Sequence, residues 1–391
     1  MDSGASSLPT YGLPLEQQVA RLQALLDATR HVHSATRINE VLVQTARILV
    51  RELELEGALF LAPGAAEPTV TYGDLPPAPY AGCLRFPLLS KEKHLLFDLL
   101  VTPSTDGSFS LYEEDFVEGL ALQTAVAVEN AMLHERDLEW VRVQQDLDAA
   151  RSVQRSLLPR SMPQIPSFSI AGRSTTCYEV GGDYLDAIPM SDGSHLFVVA
   201  DVAGKGLASA IVATSFRAAL RSLAGQALPL DQLATRLSQQ HWDEGAEARR
   251  RYVTALFLRL SAQSAAIEIV NAGHNPAALV RPGGETIMIE ASGTPLGMLS
   301  GMNYSAHSFD FPAGTRILLY TDGLTEVFCG EEEFGCERLV EEFRNHPSFL
   351  AADILDSLWE AIGVFSQHAP QIDDMTALAL CHLGAQEIAK V

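Results

Sequence analysis

HLFVVADVAGKGLASAIVA, residues 195–213, decides how the second half of the chain is read. An unbroken apolar run over residues 196–200 meets a carboxylate at Asp201, turns on Gly204-Lys205-Gly206, and continues at helical spacing. A short run apolar at every position reads as a strand buried on both faces. A strand that ends on Asp and turns on Gly lifts a carboxylate off a rigid edge. The same pattern recurs nearby. Asp183 and Asp186 lie in GGDYLD, Asp322 ends ILLYTD before Gly323, and Asp373 and Asp374 precede MTALALC. One Asp-Gly after a strand is usually an ordinary turn. Several acidic strand ends in one domain point further, because converging carboxylates repel unless a cation sits among them. Oxygen-only donors select hard ions such as Mg²⁺ or Mn²⁺ over zinc.

Around this stretch the pattern is of many short strands: SFSIAGR, HLFVVADVA, RYVTALFLRL, AAIEIVNAG, PAALVRP, TIMIE, ILLYTDG and MTALALCHL. Helices fit residues 207–222, 229–241, 337–345 and 351–367. Strands buried on both faces, with helices between them, predict two stacked sheets carrying helices outside, a layered α-β-β-α domain.

Toward the N-terminus, residues 1–14 read as a loose tail. Residues 15–135 read as a small α+β domain: one or two amphipathic helices, the β-like runs GALFLA, PTVTYG, CLRFPLLS and HLLFDLLVT, then a helix with acidic first turns. Residues 136–159 follow as a helical linker. Here Trp140, Val143, Leu147, Ala150, Gln154 and Leu157 fall at 3- and 4-residue steps. That seam reads either as packing on the chain's own domains or as a two-stranded coiled coil joining two copies.

The 391 residues suit two or three domains, and 47% apolar against 19% charged residues gives ample core. A net charge of −22 argues against nucleic acid or an anionic membrane as a partner. Five scattered cysteines without C-x-x-C spacing argue against a disulfide framework or zinc knuckle. With no signal-like N-terminus and no apolar run of membrane length, the expectation is a soluble, cytoplasmic protein.

Smaller features have plainer readings. Cys177 lacks the Cys-x₅-Arg loop of a thiolate phosphatase and reads as packing. His274 in NAGHNP could serve as a general acid, but the Asn-Gly-Asn-Pro setting favours a turn. Gly204-Lys205-Gly206 lacks a P-loop frame. Arg249, Arg250 and Arg251 read as a solvated face or a meeting point for an acidic partner.

In order, GGDYLDAI, VVADVAGKGLASAIVA, NAGHNPAALV, GTPLGM, LLYTDGLTEV with FGCERL, and IDDMTALAL resemble the SpoIIE/RsbU-type phosphatases, bacterial members of the metal-dependent protein phosphatase 2C superfamily. The resemblance covers about residues 150–385, within a catalytic domain placed at 160–391. More weakly, LYEEDFVEGLALQTAVAVENAMLHE makes residues 15–135 resemble a GAF sensor domain. The resemblance implies an α-β-β-α sandwich, two Mn²⁺ or Mg²⁺ ions, and hydrolysis of phosphoserine or phosphothreonine on small anti-sigma-factor antagonist (STAS) proteins. Asp201 would bridge both metals and Val202 would offer its carbonyl. Asp322 and Asp373 would complete the first site, Asp183 would act through metal-bound water, and Asp374 would ligate or stand behind the ligands. Asp186 has no clear role. Ala203 and Leu185 depart from the usual family residues, and Tyr178 stands where eukaryotic relatives hold phosphate with arginine. A helix-linked homodimer under sensor control is the expected regulated form. The competing expectation is a weak or inactive scaffold that binds a partner through the same fold.

Overall fold

The computed structural model describes residues 15–103, 109, 111–226, 228–261 and 266–383. The tail expected at 1–14 lies outside these residues. The chain forms two compact units, divided between Gln144 and Gln145.

The first unit opens with α1 (Leu15–His33) and α2 (Ile38–Glu52), followed by β1 (Gly57–Leu61), β2 (Val70–Gly73), β3 (Leu84–Leu89) and β4 (Leu95–Thr102). The strands form one antiparallel sheet, ordered β2-β1-β4-β3. Helix α3 (Leu111–Leu157) follows, and the division between the units falls within it. Val41, Leu42, Ala46 and Leu49 recur at helical spacing on α2 and are fully buried with Phe60, Leu99, Val117 and Leu120. Inside this core Thr45 Oγ1 lies 3.1 Å from Thr124 Oγ1, so the two buried hydroxyls satisfy each other across α2 and α3.

Two five-stranded sheets make the second unit. Its elements are β5 (Phe168–Thr175), β6 (Tyr184–Pro189), β7 (His195–Val202), α4 (Leu207–Ala224), α5 (Leu230–Asp243), α6 (Ala246–Arg249), β8 (Val253–Leu260), β9 (Ala266–Ala272), β10 (Ala277–Val280), β11 (Thr286–Ile289), β12 (His307–Asp310), β13 (Arg316–Tyr320), β14 (Phe328–Cys329), β15 (Glu332–Glu333), α7 (Gly335–Asn345), α8 (Ala351–Phe365) and β16 (Met375–His382). The sheets run β11-β10-β13-β16-β5 and β12-β9-β8-β7-β6, with β14 and β15 as a separate hairpin.

Side-chain alternation explains why these strands are apolar at every position. On β7, Leu196, Val198, Ala200 and Val202 join the core containing Ala213, Phe216 and Leu220 of α4, while Phe197 and Val199 face the core between the sheets. On β16, Leu378 and Leu380 face inward while Ala377, Ala379 and Cys381 meet Leu339 of α7 and Leu358 of α8. Three stacked apolar layers therefore form the expected α-β-β-α arrangement. Strand β6 begins inside the GGDYLD motif, β12 and the hairpin carry too little apolar pattern to register, and α6 spans four residues.

Helix α4 is the one described helix long and apolar enough to cross a bilayer, yet Ala210, Ala213, Phe216, Leu220 and Ala224 pack it into the protein core.

The linker seam divides. Trp140 and Val143 are exposed, whereas Leu147, Ala150, Gln154 and Leu157 are half-buried in the second unit. Gln154 Nε2 donates to Gly181 O at 2.6 Å and Gln154 Oε1 accepts from Gly181 N–H at 3.1 Å. The polar residue in the heptad pattern is thus tied to the chain's own backbone.

Candidate active site

Three chain segments bring the acidic residues together. Asp201 lies near the end of β7, opposite Thr254 of β8. Asp322 follows β13 in a short 3₁₀ turn, Asp322–Leu324. Asp373 and Asp374 lead into β16, which pairs with both β13 and β5.

Glycine lets these segments approach. A Cβ on Gly323 would collide with the Asp374 backbone carbonyl, and one on Gly181 would collide with the Asp374 carboxylate. A Cβ on Gly182 would sit 3.0 Å from the Val202 carbonyl oxygen and 3.4 Å from Asp201 Oδ1. The loop carrying Asp183 therefore lies directly against Asp201 and the Val202 carbonyl.

Within this space the carboxylates lack adequate counter-charge. Burial, then the Asp322, Asp373 and Asp374 charges, push Asp201 up to about 7. Asp183 is raised well above the usual carboxylate range, first by burial and then by Asp201. Asp322 is raised by burial and by Asp373. Groups that raise one another's proton affinity share one electrostatic field.

A single ammonium enters that field. Lys205 Nζ lies 2.7 Å from Asp373 Oδ2 and donates to Ile372 O at 2.9 Å. Nothing in the Gly204-Lys205-Gly206 stretch itself announces this pair, because the lysine's partner is 168 residues away, beyond the reach of local pattern.

Among the described residues, no three His, Cys, Asp or Glu side chains are drawn around one point tightly enough to enclose an ion as they stand. In donor type and charge the residues nevertheless fit a hard divalent cation. Asp183, Asp201, Asp322 and Asp373 offer oxygen alone, and one lysine leaves most of their charge uncompensated.

The remaining expected site residues take distinct places. Asp374 is bound to backbone: Oδ1 accepts Cys177 N–H at 2.7 Å and Oδ2 accepts Gly182 N–H at 2.8 Å. It anchors the GGD loop. Asp186 is wholly buried in a different pairing, accepting from Arg221 Nε at 2.8 Å and Nη2 at 2.7 Å and from the Tyr184 hydroxyl.

His274 is buried, and burial lowers it to about 4, which disfavours the imidazolium form a general acid would use near pH 7. Its backbone N–H donates to Asn271 Oδ1 at 2.8 Å, which is the expected turn. Cys177 Sγ donates to Gln371 O at 3.0 Å, and burial raises its thiol pKa, the reverse of nucleophile activation. In the basic run, Arg249 stacks over Trp242 with its guanidinium 3.9 Å from the ring centre.

Thr321 is the residue whose importance no motif announced. Fully buried, it donates from Oγ1 to Asp183 Oδ2 at 2.8 Å and accepts Thr376 N–H at 3.0 Å. It couples the Asp183 carboxylate to the β13–β16 pairing. Thr254 plays a comparable part, donating from Oγ1 to Asp201 O at 3.3 Å while lying 2.8 Å from His274 Nδ1.

Residues 191–383 match the family described as Stage II sporulation protein E (SpoIIE). This region is a SpoIIE-family domain. The chain is similar to the phosphoserine phosphatase RsbP of Bacillus subtilis, with 25% identity over 222 residues covering 56% of this chain and 53% of RsbP. It is similar also to protein IcfG of a Synechocystis strain, with 24% identity over 261 residues covering 60% of this chain and 41% of IcfG. The chain thus spans about half the length of these two relatives.

Among solved structures, the SiaA-PP2C domain of Pseudomonas aeruginosa shares the fold, with a TM-score of 0.55, 20% identity, and coverage of 62% of this chain and 97% of that one. The RsbU and RsbW domains of Rv1364c from Mycobacterium tuberculosis align at a TM-score of 0.50 with 26% identity, covering 58% of this chain and 63% of that one. The SpoIIE domain therefore has the protein phosphatase 2C fold.

Proposed function

We propose that the chain is a metal-dependent phosphatase acting on phosphoserine or phosphothreonine of a small STAS-type protein in bacterial signalling. The observation that carries this reading is the group of buried Asp183 with half-buried Asp201, Asp322 and Asp373, whose negative charge exceeds what Lys205 can balance.

Asp201, Asp322, Asp373 and the Val202 carbonyl would hold two Mn²⁺ or Mg²⁺ ions, with Asp183 facing them. Bound there, the ions would supply the positive charge that acidifies water and draws in phosphoryl oxygens. The protein's own part is positional. Asp374 fixes the GGD loop through backbone N–H groups, and Thr321 aims Asp183. Thr254 steadies the backbone of Asp201. Lys205, 2.7 Å from Asp373, would be the protein's own cation beside a substrate's phosphate.

Regulation by the N-terminal unit belongs to the same proposal. Residues 15–135 would act as a GAF-like sensor, and two copies would pair through the exposed Leu133, Trp140 and Val143 of α3. The end of α3 touches the site's supports: Gln154 binds Gly181 next to Gly182-Asp183, and Arg217 Nε of α4 donates to Leu157 O at 3.0 Å. A change in linker pairing would therefore reach both the GGD loop and the helix after Gly206, a two-state bias.

The test is phosphate release from a phosphorylated STAS protein by the full chain, with and without Mn²⁺. Turnover that requires the ion and vanishes in Asp201→Asn supports the reading. Absence of turnover with any divalent ion assigns the fold to partner binding instead.

A further inference from the structure

Beside Asp373 the SpoIIE domain has a cavity of about 400 Å³. Gly323 and Asp373 form one edge, so the cavity opens onto the candidate active site. Val327, Phe328, Trp359, Ile362 and Ile372 give it a large apolar wall, with His368 and other polar residues completing the lining. Phe328 and Ile372 are 45% and 53% exposed at the mouth, although each could have been polar at no cost to the core. Arg173 also lines the space, but its charge is already engaged: Nη1 lies 3.1 Å from Asp356 Oδ1 and the guanidinium stacks over Trp359.

Acidic side chains stand beside the Phe328 wall, next to the residues that line the cavity. In the β14–β15 hairpin Phe328 stands directly opposite Glu333. Glu332 is engaged by Arg338, whereas among the described residues Glu331 and Glu333 have no ion-pair partner. Glu326 lies between the hairpin and the site, within the fields of Asp322, Glu333 and Asp373. Metal binding would neutralise Asp322 and Asp373 but leave the glutamates unchanged.

We propose that this cavity is a specificity pocket seating a lysine or arginine side chain of the phosphoprotein substrate, near in sequence to its phosphorylated residue. The inference rests on the phosphatase reading above and goes further by naming what the substrate carries beside its phosphate. Long basic side chains have an aliphatic stem and a charged head, which matches an apolar wall beside acidic side chains. A purely apolar residue would fill the walls and leave the glutamates unanswered. An acidic one would be repelled.

The experiment uses the full chain with Mn²⁺ and a phosphoserine peptide panel differing at one position at a time, each bearing Lys, norleucine, Ala or Glu. Para-nitrophenyl phosphate, which has no flanking residues, is assayed beside it. At one or two positions Lys is expected to exceed norleucine in kcat/KM by about fivefold, the scale of a partly exposed ion pair, with Glu lower still. The preference should shrink with added salt.

Glu333→Lys should invert the Lys-to-Glu ratio, and Phe328→Ala should lower the advantage of Lys over Ala at the same position. Where Glu333→Lys fails to fold, Glu333→Gln and the native panel decide. Turnover of para-nitrophenyl phosphate with equal kcat/KM across the panel overturns the pocket and leaves the phosphatase standing. No turnover of any substrate overturns both.

Discussion

Asp183 and Asp186 lie three residues apart in GGDYLD, are both buried, and have opposite fates. Asp186 meets a two-pronged guanidinium and a tyrosine hydroxyl within the protein. Asp183 meets a threonine hydroxyl and further carboxylates. A buried charge with its partner in place is part of the scaffold, while one surrounded by like charges awaits something from outside. Burial alone does not tell these two acids apart; the counter-charge around each does.

That contrast can be broken most forcefully at Asp201. Asp201→Asn is expected to lower phosphate release by roughly 10³-fold, as loss of a principal electrostatic group does. Thermal unfolding of the metal-free protein should meanwhile be unchanged or raised, because a repelling charge has gone. A large drop in melting temperature with activity retained would reverse the assignment.

The opposite experiment is Arg221→Leu, which strands the buried Asp186 carboxylate. A destabilisation of about 3–5 kcal/mol is expected from chemical denaturation, with no change in the concentration of Mn²⁺ needed for activity in the folded fraction. Altered metal dependence would move Asp186 into the site.

Stability against pH gives a third handle. Asp201, raised to about 7, binds a proton in the folded state that the unfolded chain releases near the ordinary carboxylate value. The metal-free protein should therefore lose stability as pH rises from about 4 through about 7. Divalent ions should raise the melting temperature most at the alkaline end, flattening the slope. Calorimetry with and without Mg²⁺ reads this directly, and parallel slopes would count against cation binding by these carboxylates.

The mildest test removes one hydroxyl. Thr321→Val deletes the bond to Asp183 and one acceptor for Thr376 N–H, a loss of about 1–3 kcal/mol by denaturation. Activity should fall as well, and Ser at this position should recover both properties better than Val.

The strands that position the site were legible because burial on both faces leaves a mark on every residue, as in β7 and β16. Helices α4, α5, α7 and α8 were legible from their spacing. Strand β12 was not, since three of its four residues are exposed and little is selected by burial. Asp201 and Asp322 stood out because each ends a strand-like run with a charge, and Asp373 because it stands just ahead of one. Lys205 and Thr321 did not, because their roles exist only once partners far along the chain arrive. The seam on α3 shows the limit of periodicity: spacing identified a face, but Gln154 bonds to Gly181 of the same chain, information a heptad does not contain.

Strand β16 brings a consequence for how the protein comes into being. It sits inside its sheet, between β13 and β5, and Met375 pairs with Thr175 two hundred residues earlier. Until that late segment slots home, β5 and β13 keep bare edges and the acidic cluster lacks Asp373. A chain in which β16 has not yet paired has neither a closed sheet nor a complete acidic cluster, so the proposed chemistry has to wait for this late strand.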